Sequence, residues 1–188
     1  MSKMKLDQYG RFVPSTNKRF FSNSSNPMVR IGNRMFFYSK KGYIRGTYPD
    51  LESLGFEKKE TYFERPVNDT EIESAYKVTE RIAVYKGISV YFQSFNEETK
   101  GVLIWSTDKR VGDASGITPY YDYADRLMYC DPQYYGEVPE KDVPDIYEIR
   151  KPYEDFKFVG PEKVYHKKDG EWIQCHFPGT PLKDGELF

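Results

Sequence analysis

Three residues near the end of the chain carry side chains that can bind a transition metal: His166, Cys175 and His176. His166 and Cys175 could approach each other across a hairpin, but Cys175 and His176 are neighbours and would point to opposite faces of a strand. Zinc sites usually show regularly spaced Cys and His pairs, and the sequence has no second pair to complete one. The spacing therefore predicts a polar strand with one buried thiol and no bound metal.

Nucleophilic and acid–base groups are present, but the residues around them do not build a catalytic site. Cys130 and Cys175 lack the elbow or glycine-rich loop that would hold a reacting carbonyl. The pair Glu71 and Glu73 is explained by the start of a helix, where carboxylates are favourable. The stretch GVLIWSTDKRVGDASG matches neither the dinucleotide fingerprint nor the P-loop. We therefore expect a protein that is not an enzyme and has no cofactor.

The segment from residue 131 to 155 combines tyrosines with acidic residues and four prolines. It has eight acidic residues against three basic ones, a local net charge of −5. Tyrosine is enriched at interface hot spots, and fixed carboxylates attract a cationic partner. The alternative is a solvated loop whose tyrosines pack down on the sheet. The predicted partner-binding residues are Tyr121, Asp131, Tyr134, Tyr135, Glu137, Glu140, Asp142 and Asp145.

The N-terminal part of the chain is basic and offers a different surface. Residues 1 to 46 carry ten Lys or Arg and one acid, a net charge of +9, and the remainder carries −10. Lys40 and Lys41 stand between Tyr38 and Tyr43, and such interleaving is typical of platforms for single-stranded nucleic acid. The overall charge of −1 argues against this use, because nucleic-acid-binding domains are usually basic. The basic segment could instead fold against the acidic remainder.

Turn residues and periodicity predict the elements that would position these surfaces. Gly32-Asn33 and Lys41-Gly42 are turn sequences, so strands near 28–31, 34–39 and 43–47 would form a meander. A capping box at Asn68 and Glu71 precedes apolar residues at helical spacing, which predicts a helix near 69–84. A second helix is predicted to begin at Thr118, with Tyr120 and Tyr123 facing the core.

Two hairpins complete the predicted fold. ISVYFQSF and VLIWSTD flank one turn, and KVYHKKDGEWIQCHF folds back at Lys168-Asp169-Gly170. No repeated strand–helix–strand spacing is present. We therefore predict an α+β fold, a mainly antiparallel twisted β-sheet with about two packed α-helices. The whole chain, 1–188, is predicted to be one domain, with residues 1–27 as a mobile arm and 178–188 as a tail.

Composition narrows the class of protein. The chain of 188 residues is polar on average but contains 17 Tyr and 13 Phe, which indicates an ordered domain. Its two cysteines form no paired motif, as expected in a reducing compartment. The N-terminus has no apolar run of signal-peptide length, and no stretch approaches the ~20 apolar residues of a membrane span. We expect a cytoplasmic protein that is a monomer or a weak dimer and does not bind membranes.

In overall character the chain resembles the immunity proteins of bacterial polymorphic toxin systems: it is small and aromatic-rich, lacks catalytic motifs, and carries an acidic segment. The resemblance implies a binding protein that neutralises one cognate toxin by covering its active site. It also implies that the acids and tyrosines of residues 131–145 face that toxin. The second hypothesis is a nucleic-acid-associated accessory protein of a phage or mobile element that uses the basic N-terminal strands. A small enzyme whose site no motif reveals is the third.

Overall fold

A computed structural model describes residues 26–39, 41–120, 131–173 and 178–184, together with the backbone of residues 5–6 and 12–13. The chain divides into two compact units. The first unit comprises Met1–Thr79, Ile149–Glu162 and Gln174–Phe188. The second unit comprises Glu80–Glu148 and Lys163–Ile173.

The first unit is built from antiparallel strands. Strands β1 (Lys5–Leu6) and β2 (Phe12–Val13) pair with each other. The remaining strands pair in the spatial order β8-β3-β4-β5-β7-β6. Their bounds are β3 (Met28–Ile31), β4 (Arg34–Ser39), β5 (Tyr43–Gly46), β6 (Glu57–Lys58), β7 (Phe63–Pro66) and the beginning of β8 (Ser74–Tyr85).

Strand β4 lies between β3 and β5 and is apolar on both faces. Phe36 and Tyr38 belong to the larger core cluster of this unit, whereas Met35 packs with Met28 and Tyr76. The turns that flank β4 contain Gly32 and Gly42, both at positive φ. The predicted meander and the central position of its middle strand are therefore confirmed.

The helix predicted near 69–84 is wrong. The capping box at Asn68 and Glu71 exists, but it closes only the single turn of a 3-10 helix, Asp69–Glu71. The chain then becomes the twelve-residue strand β8. Branched and aromatic side chains fit a pleated surface better than a helix, and β8 is rich in them, with Tyr76, Val78, Thr79, Ile82, Val84 and Tyr85.

Residues 178–184, predicted as part of a tail, form hydrogen bonds with other residues of the first unit. The amide of Thr47 donates to the Pro178 carbonyl at 2.7 Å, and the amide of Gly179 donates to the Met35 carbonyl at 2.7 Å. Residues 178–180 are buried. Arg34 Nη1 adds a hydrogen bond of 2.7 Å to the Gly179 carbonyl, while Nη1 and Nη2 both donate to the Asp50 carboxylate.

The second unit contains an antiparallel sheet in the order β11-β10-β9-β8 and a smaller group, β12-β13-β14. Strand β8 contributes Glu80–Tyr85 to this unit, and the first half of β12 belongs to it as well. The bounds are β9 (Ile88–Asn96), β10 (Gly101–Ser106), β11 (Tyr134–Pro139), β12 (Asp145–Pro152), β13 (Lys163–Lys168) and β14 (Glu171–Trp172).

Both predicted hairpins of this unit are confirmed, β9 with β10 and β13 with β14. The sequence interpretation missed strands β11 and β12, which lie in the acidic segment from residue 131 to 155. It also missed helix α1 (Lys109–Ser115), which Asp108 caps and Gly116 ends in a left-handed conformation. The architecture is thus dominated by antiparallel sheet. In the described part of the chain, no helix is long and apolar enough to cross a membrane.

Candidate functional site

Three aromatic side chains form a continuous row on the outer face of the second unit's sheet. Tyr91, Trp105 and Tyr135 lie directly opposite one another on β9, β10 and β11, and we refer to them as the aromatic row. Tyr91 is 42 % exposed and Tyr135 is 54 % exposed. The ring centroids of Tyr91 and Trp105 are 4.7 Å apart. Ile82 stands opposite Tyr91 on β8 and is buried, so the accessible part of the row ends at Tyr91.

The alternation of β10 and an irregularity in β9 direct these rings outward. On β10, Val102 and Ile104 are buried, so Trp105 falls on the opposite face. The ladder between β9 and β10 shifts register between Leu103 and Ile104, because β9 has one extra residue there, Gln93. The shift pairs Phe92 with Ile104 in the core and leaves Tyr91 opposite Trp105 outside.

Hydrogen bonds fix the end of the row next to β11. The Trp105 indole Nε1 donates to Gln133 Oε1 at 3.2 Å. Gln133 exchanges two backbone hydrogen bonds with Tyr120, of 2.7 and 2.8 Å. This bridge holds Tyr120 on the surface, so the prediction that Tyr120 faces the core is wrong. The helix predicted from Thr118 continues into residues 121–130, which lie outside the described residues, as do Tyr121 and Tyr123.

The opposite face of β11 explains why Tyr134 is not available to a partner. Its side chain points inward and is buried against helix α1, where the ring lies directly over Gly112. A side chain at position 112 would collide with that ring, so the glycine allows this close approach. Tyr134 therefore packs in the core, while its neighbour Tyr135 faces solvent.

The predicted acidic residues divide into two groups. Asp131 and Glu137 are exposed, whereas Glu140, Asp142 and Asp145 are half-buried. Several of these carboxylates already accept hydrogen bonds from other residues of the second unit. Glu137 accepts a hydrogen bond of 2.5 Å from Thr99, Glu140 accepts one from Trp172, and Asp145 accepts one of 2.9 Å from the Asp169 amide.

Lysines share the groove next to β11 with these acids. The groove has a volume of about 580 Å³, and Lys100, Lys141 and Lys167 line it together with Glu137 and Glu140. The buried Lys167 donates to the carbonyls of Glu140 and Val143 at 2.9 and 2.8 Å. Its ammonium therefore holds the turn between β11 and β12 in place, and the groove is mixed in charge.

The best acid–base pair of the second unit is inside the protein. His166 Nε2 lies 3.0 Å from Glu148 Oε2, and Arg81 Nε lies 4.0 Å from the same oxygen. The side chains of His166 and Glu148 are only 7 % and 5 % exposed, so a substrate could not reach them. The sequence interpretation missed Glu148, because a lone glutamate in an acidic segment is usually a surface residue.

The metal hypothesis for His166 has no counterpart in the described residues. Among them, no group of three His, Cys, Asp or Glu side chains could hold a metal ion. Cys175 and His176 lie outside the described residues, and so does Cys130. His166 contacts a carboxylate instead.

Charge is distributed unevenly between the two units. The second unit has fifteen acidic and ten basic residues, a formal net charge of −5. The first unit has fourteen acidic and eighteen basic residues, a net charge of +4. The exposed aromatic row thus belongs to the acidic unit.

The basic surface predicted on the first unit offers few rings for stacking. Phe36 and Tyr38 are buried in the core, and Lys40 lies outside the described residues. Arg45 hydrogen-bonds to Glu64 at 3.0 Å and stacks on Tyr62. Tyr43 is the ring of this group that stays accessible, at 39 % exposure.

Comparison with known proteins supplies no functional relative. No family model matches the chain, and the searches of curated proteins and solved structures found no match. A function must therefore be argued from the surface chemistry of the units themselves.

Proposed function

We propose that this chain is a non-catalytic binding protein that covers a basic protein partner with the acidic second unit. The observation that carries the proposal is the aromatic row, in which Tyr91 and Tyr135 are exposed on either side of the half-buried Trp105 on three paired strands. By the resemblance of its overall character to immunity proteins, the partner would be a toxin whose active site becomes occluded.

The row has the size and stiffness expected of an interface centre. Each of its two tyrosines leaves about half of its surface exposed, roughly 100 Å² per ring. Covering that area would contribute about 2–3 kcal/mol per ring before the costs of association are subtracted. The rings are held on paired strands, so little side-chain freedom is lost when a partner packs against them.

The charge of the second unit favours a protein over a nucleic acid. A net charge of −5 repels phosphates and attracts a basic protein surface, which raises the rate of encounter. Asp131 and Glu137 are exposed on the same segment as Tyr135 and would contribute to that attraction. The burial of the His166–Glu148 pair is consistent with a role that involves no reaction.

The test is to co-express the chain with the product of the neighbouring open reading frame and to measure their affinity after purification. We expect a stable complex that the double variant Trp105→Ala/Tyr135→Ala weakens by about 100-fold or more, since hot-spot aromatics each contribute about 2 kcal/mol or more. Tyr43→Ala is the matched control, because this tyrosine is similarly exposed on the first unit. It should leave the affinity unchanged.

Two outcomes would contradict the proposal. One is a complex whose affinity is insensitive to both substitutions in the aromatic row. The other is the absence of a protein complex together with salt-sensitive binding of oligonucleotides that Lys41→Ala and Arg45→Ala abolish, which would favour the nucleic-acid hypothesis.

A further inference from the structure

A second arrangement of tyrosines in the second unit already holds a cation. Tyr147 on β12 and Tyr165 on β13 have ring centroids 5.4 Å apart with an angle of 55° between the ring planes. The Lys163 ammonium lies 3.8 Å from the centroid of Tyr147 and 4.8 Å from that of Tyr165. Both distances are within the ~6 Å range of cation–π attraction.

We infer that Tyr147, Tyr165 and Asp145 form a binding site for the guanidinium group of a partner's arginine, and that Lys163 occupies this site in the free protein. The inference rests on the proposed protein-binding function, but the site lies on strands other than those of the aromatic row. We refer to Tyr147, Tyr165 and Asp145 as the cation site.

The electrostatics of the site suit a positive ligand. A hydrogen bond with Tyr165 raises the pKa of the Lys163 ammonium above its ordinary value, and the charge of Asp145 acts in the same direction, while burial opposes both. Asp145 is held in place because it accepts a hydrogen bond of 2.9 Å from the Asp169 amide. The second unit as a whole is acidic, so a basic partner approaches it favourably.

Lys163 is a replaceable occupant. It is exposed at the first position of β13, and an exposed cation–π contact is weak. Holding a lysine side chain in one conformation costs rotamer entropy, which offsets most of that gain. The ammonium therefore leaves the rings readily.

Arginine is the expected ligand because its guanidinium group is flat and weakly hydrated, and stacks on aromatic faces better than an ammonium does. Lys168 is a further cation near the site, with its ammonium 5.3 Å from the centroid of Tyr165. It is exposed and can turn toward solvent when an arginine enters.

The experiment uses the full chain with ¹³C-labelled tyrosine and follows the ring resonances of Tyr147 and Tyr165 by NMR. The probe is N-acetyl-arginine amide, and N-acetyl-citrulline amide is its neutral isostere. We expect shifts that grow with the concentration of the arginine probe in Lys163→Met, and binding about two- to threefold weaker in the wild type, where Lys163 occupies the rings part of the time. The citrulline probe should produce no shift.

Two controls keep the result interpretable. Tyr165→Leu in the Lys163→Met background should abolish the shifts of Tyr147, and unfolding curves of each variant show whether the fold is intact. Equal responses to arginine and citrulline, or equal affinities in Lys163→Met and the wild type, would overturn the inference. The aromatic row is untouched in these variants, so such a failure leaves the proposed function standing. Conversely, loss of partner binding by Trp105→Ala alone would not establish the cation site.

Discussion

The contact between helix α1 and β11 leads to a quantitative prediction for Gly112→Ala. A Cβ atom at position 112 would lie 2.5 Å from Cδ1 of Tyr134 and still closer to Cε1. Both residues are buried, so the ring can only move by displacing other parts of the core. The substitution therefore tests whether Tyr134 is a packing residue rather than a partner contact.

Two opposing effects set the size of the change. Alanine is about 1 kcal/mol more favourable than glycine within a helix. Overpacking a closed core costs about 1–3 kcal/mol, and here the added atom meets the buried ring of Tyr134. We expect steric overlap to exceed the propensity gain, so that Gly112→Ala lowers the free energy of unfolding by about 1–2 kcal/mol.

Urea denaturation of the single and double variants would measure this effect. Tyr134→Leu destabilises by leaving a cavity, but adding Gly112→Ala to it should cost less than Gly112→Ala costs in the wild type, with a coupling of about 1 kcal/mol. Gly116→Ala is the control for backbone strain, because Gly116 has φ +74 and no atom within 4 Å of the added Cβ. Its cost should not change with Tyr134→Leu. If Gly112→Ala were neutral, or strictly additive with Tyr134→Leu, the packing described for Tyr134 would be incorrect.

Two further predictions concern the first unit. Burial, reinforced by Glu154, raises the pKa of Tyr153 to about 12 from its ordinary 10, so the unfolded chain loses this proton before the folded chain does. The free energy of unfolding should therefore fall as the pH rises from about 10 to 12, by roughly 2–3 kcal/mol or less. In urea titrations, Tyr153→Phe should flatten this part of the stability–pH curve. An unchanged slope would contradict the raised pKa of Tyr153. Arg34→Lys should cost about 1–3 kcal/mol, because lysine cannot keep both bonds to Asp50 and the bond to the Gly179 carbonyl. Hydrogen exchange at Gly179 should accelerate in this variant, and unchanged exchange would show that Arg34 does not hold residues 178–184.

Local turn chemistry made part of the fold predictable. Gly32 and Gly42 occupy positive φ, which is why their dipeptides mark the ends of the meander so clearly. Asp169 and Gly170 do the same for the last hairpin, with φ of 51° and 87°. Such turns are specified by two or three residues and need no information from the rest of the chain.

Strand β12 was missed because its inward positions are partly charged. Ile146, Glu148 and Arg150 are the buried residues, whereas Tyr147 and Ile149 are more exposed. A search for alternating apolar residues therefore finds the wrong face. Arg150 is accommodated by stacking on Tyr76 at 4.2 Å and Glu148 by His166, contacts that depend on the tertiary structure.

The sequence interpretation missed strand β8 and helix α1 for opposite reasons. The capping box at Asn68 correctly marks the start of a helical turn. The residues after that turn do not continue as a helix, because pairing as a strand outweighs one favourable turn. Asp108 and Gly116 are typical residues for the two ends of helix α1. The helix has only seven residues, which is too short to show apolar residues repeating at helical spacing.

The candidate site could be predicted only in part. Tyr135 was proposed from composition, and its exposure meets the requirement for a partner contact. Tyr91 and Trp105 were assigned to the two strands of a predicted hairpin but not to a surface. The register shift at Gln93 brings Tyr91 opposite Trp105, and nothing in the local sequence announces it.

The position of Trp105 in the aromatic row gives the protein an intrinsic optical reporter. The chain has two tryptophans, and the other, Trp172, hydrogen-bonds to Glu140 and packs edge-on against Phe95. With Trp172 replaced by phenylalanine, all indole emission would arise from the surface where a partner is expected to dock. A blue shift or quenching on mixing would then register occupancy in real time without any attached dye, so candidate partners could be ranked by titration in a cuvette.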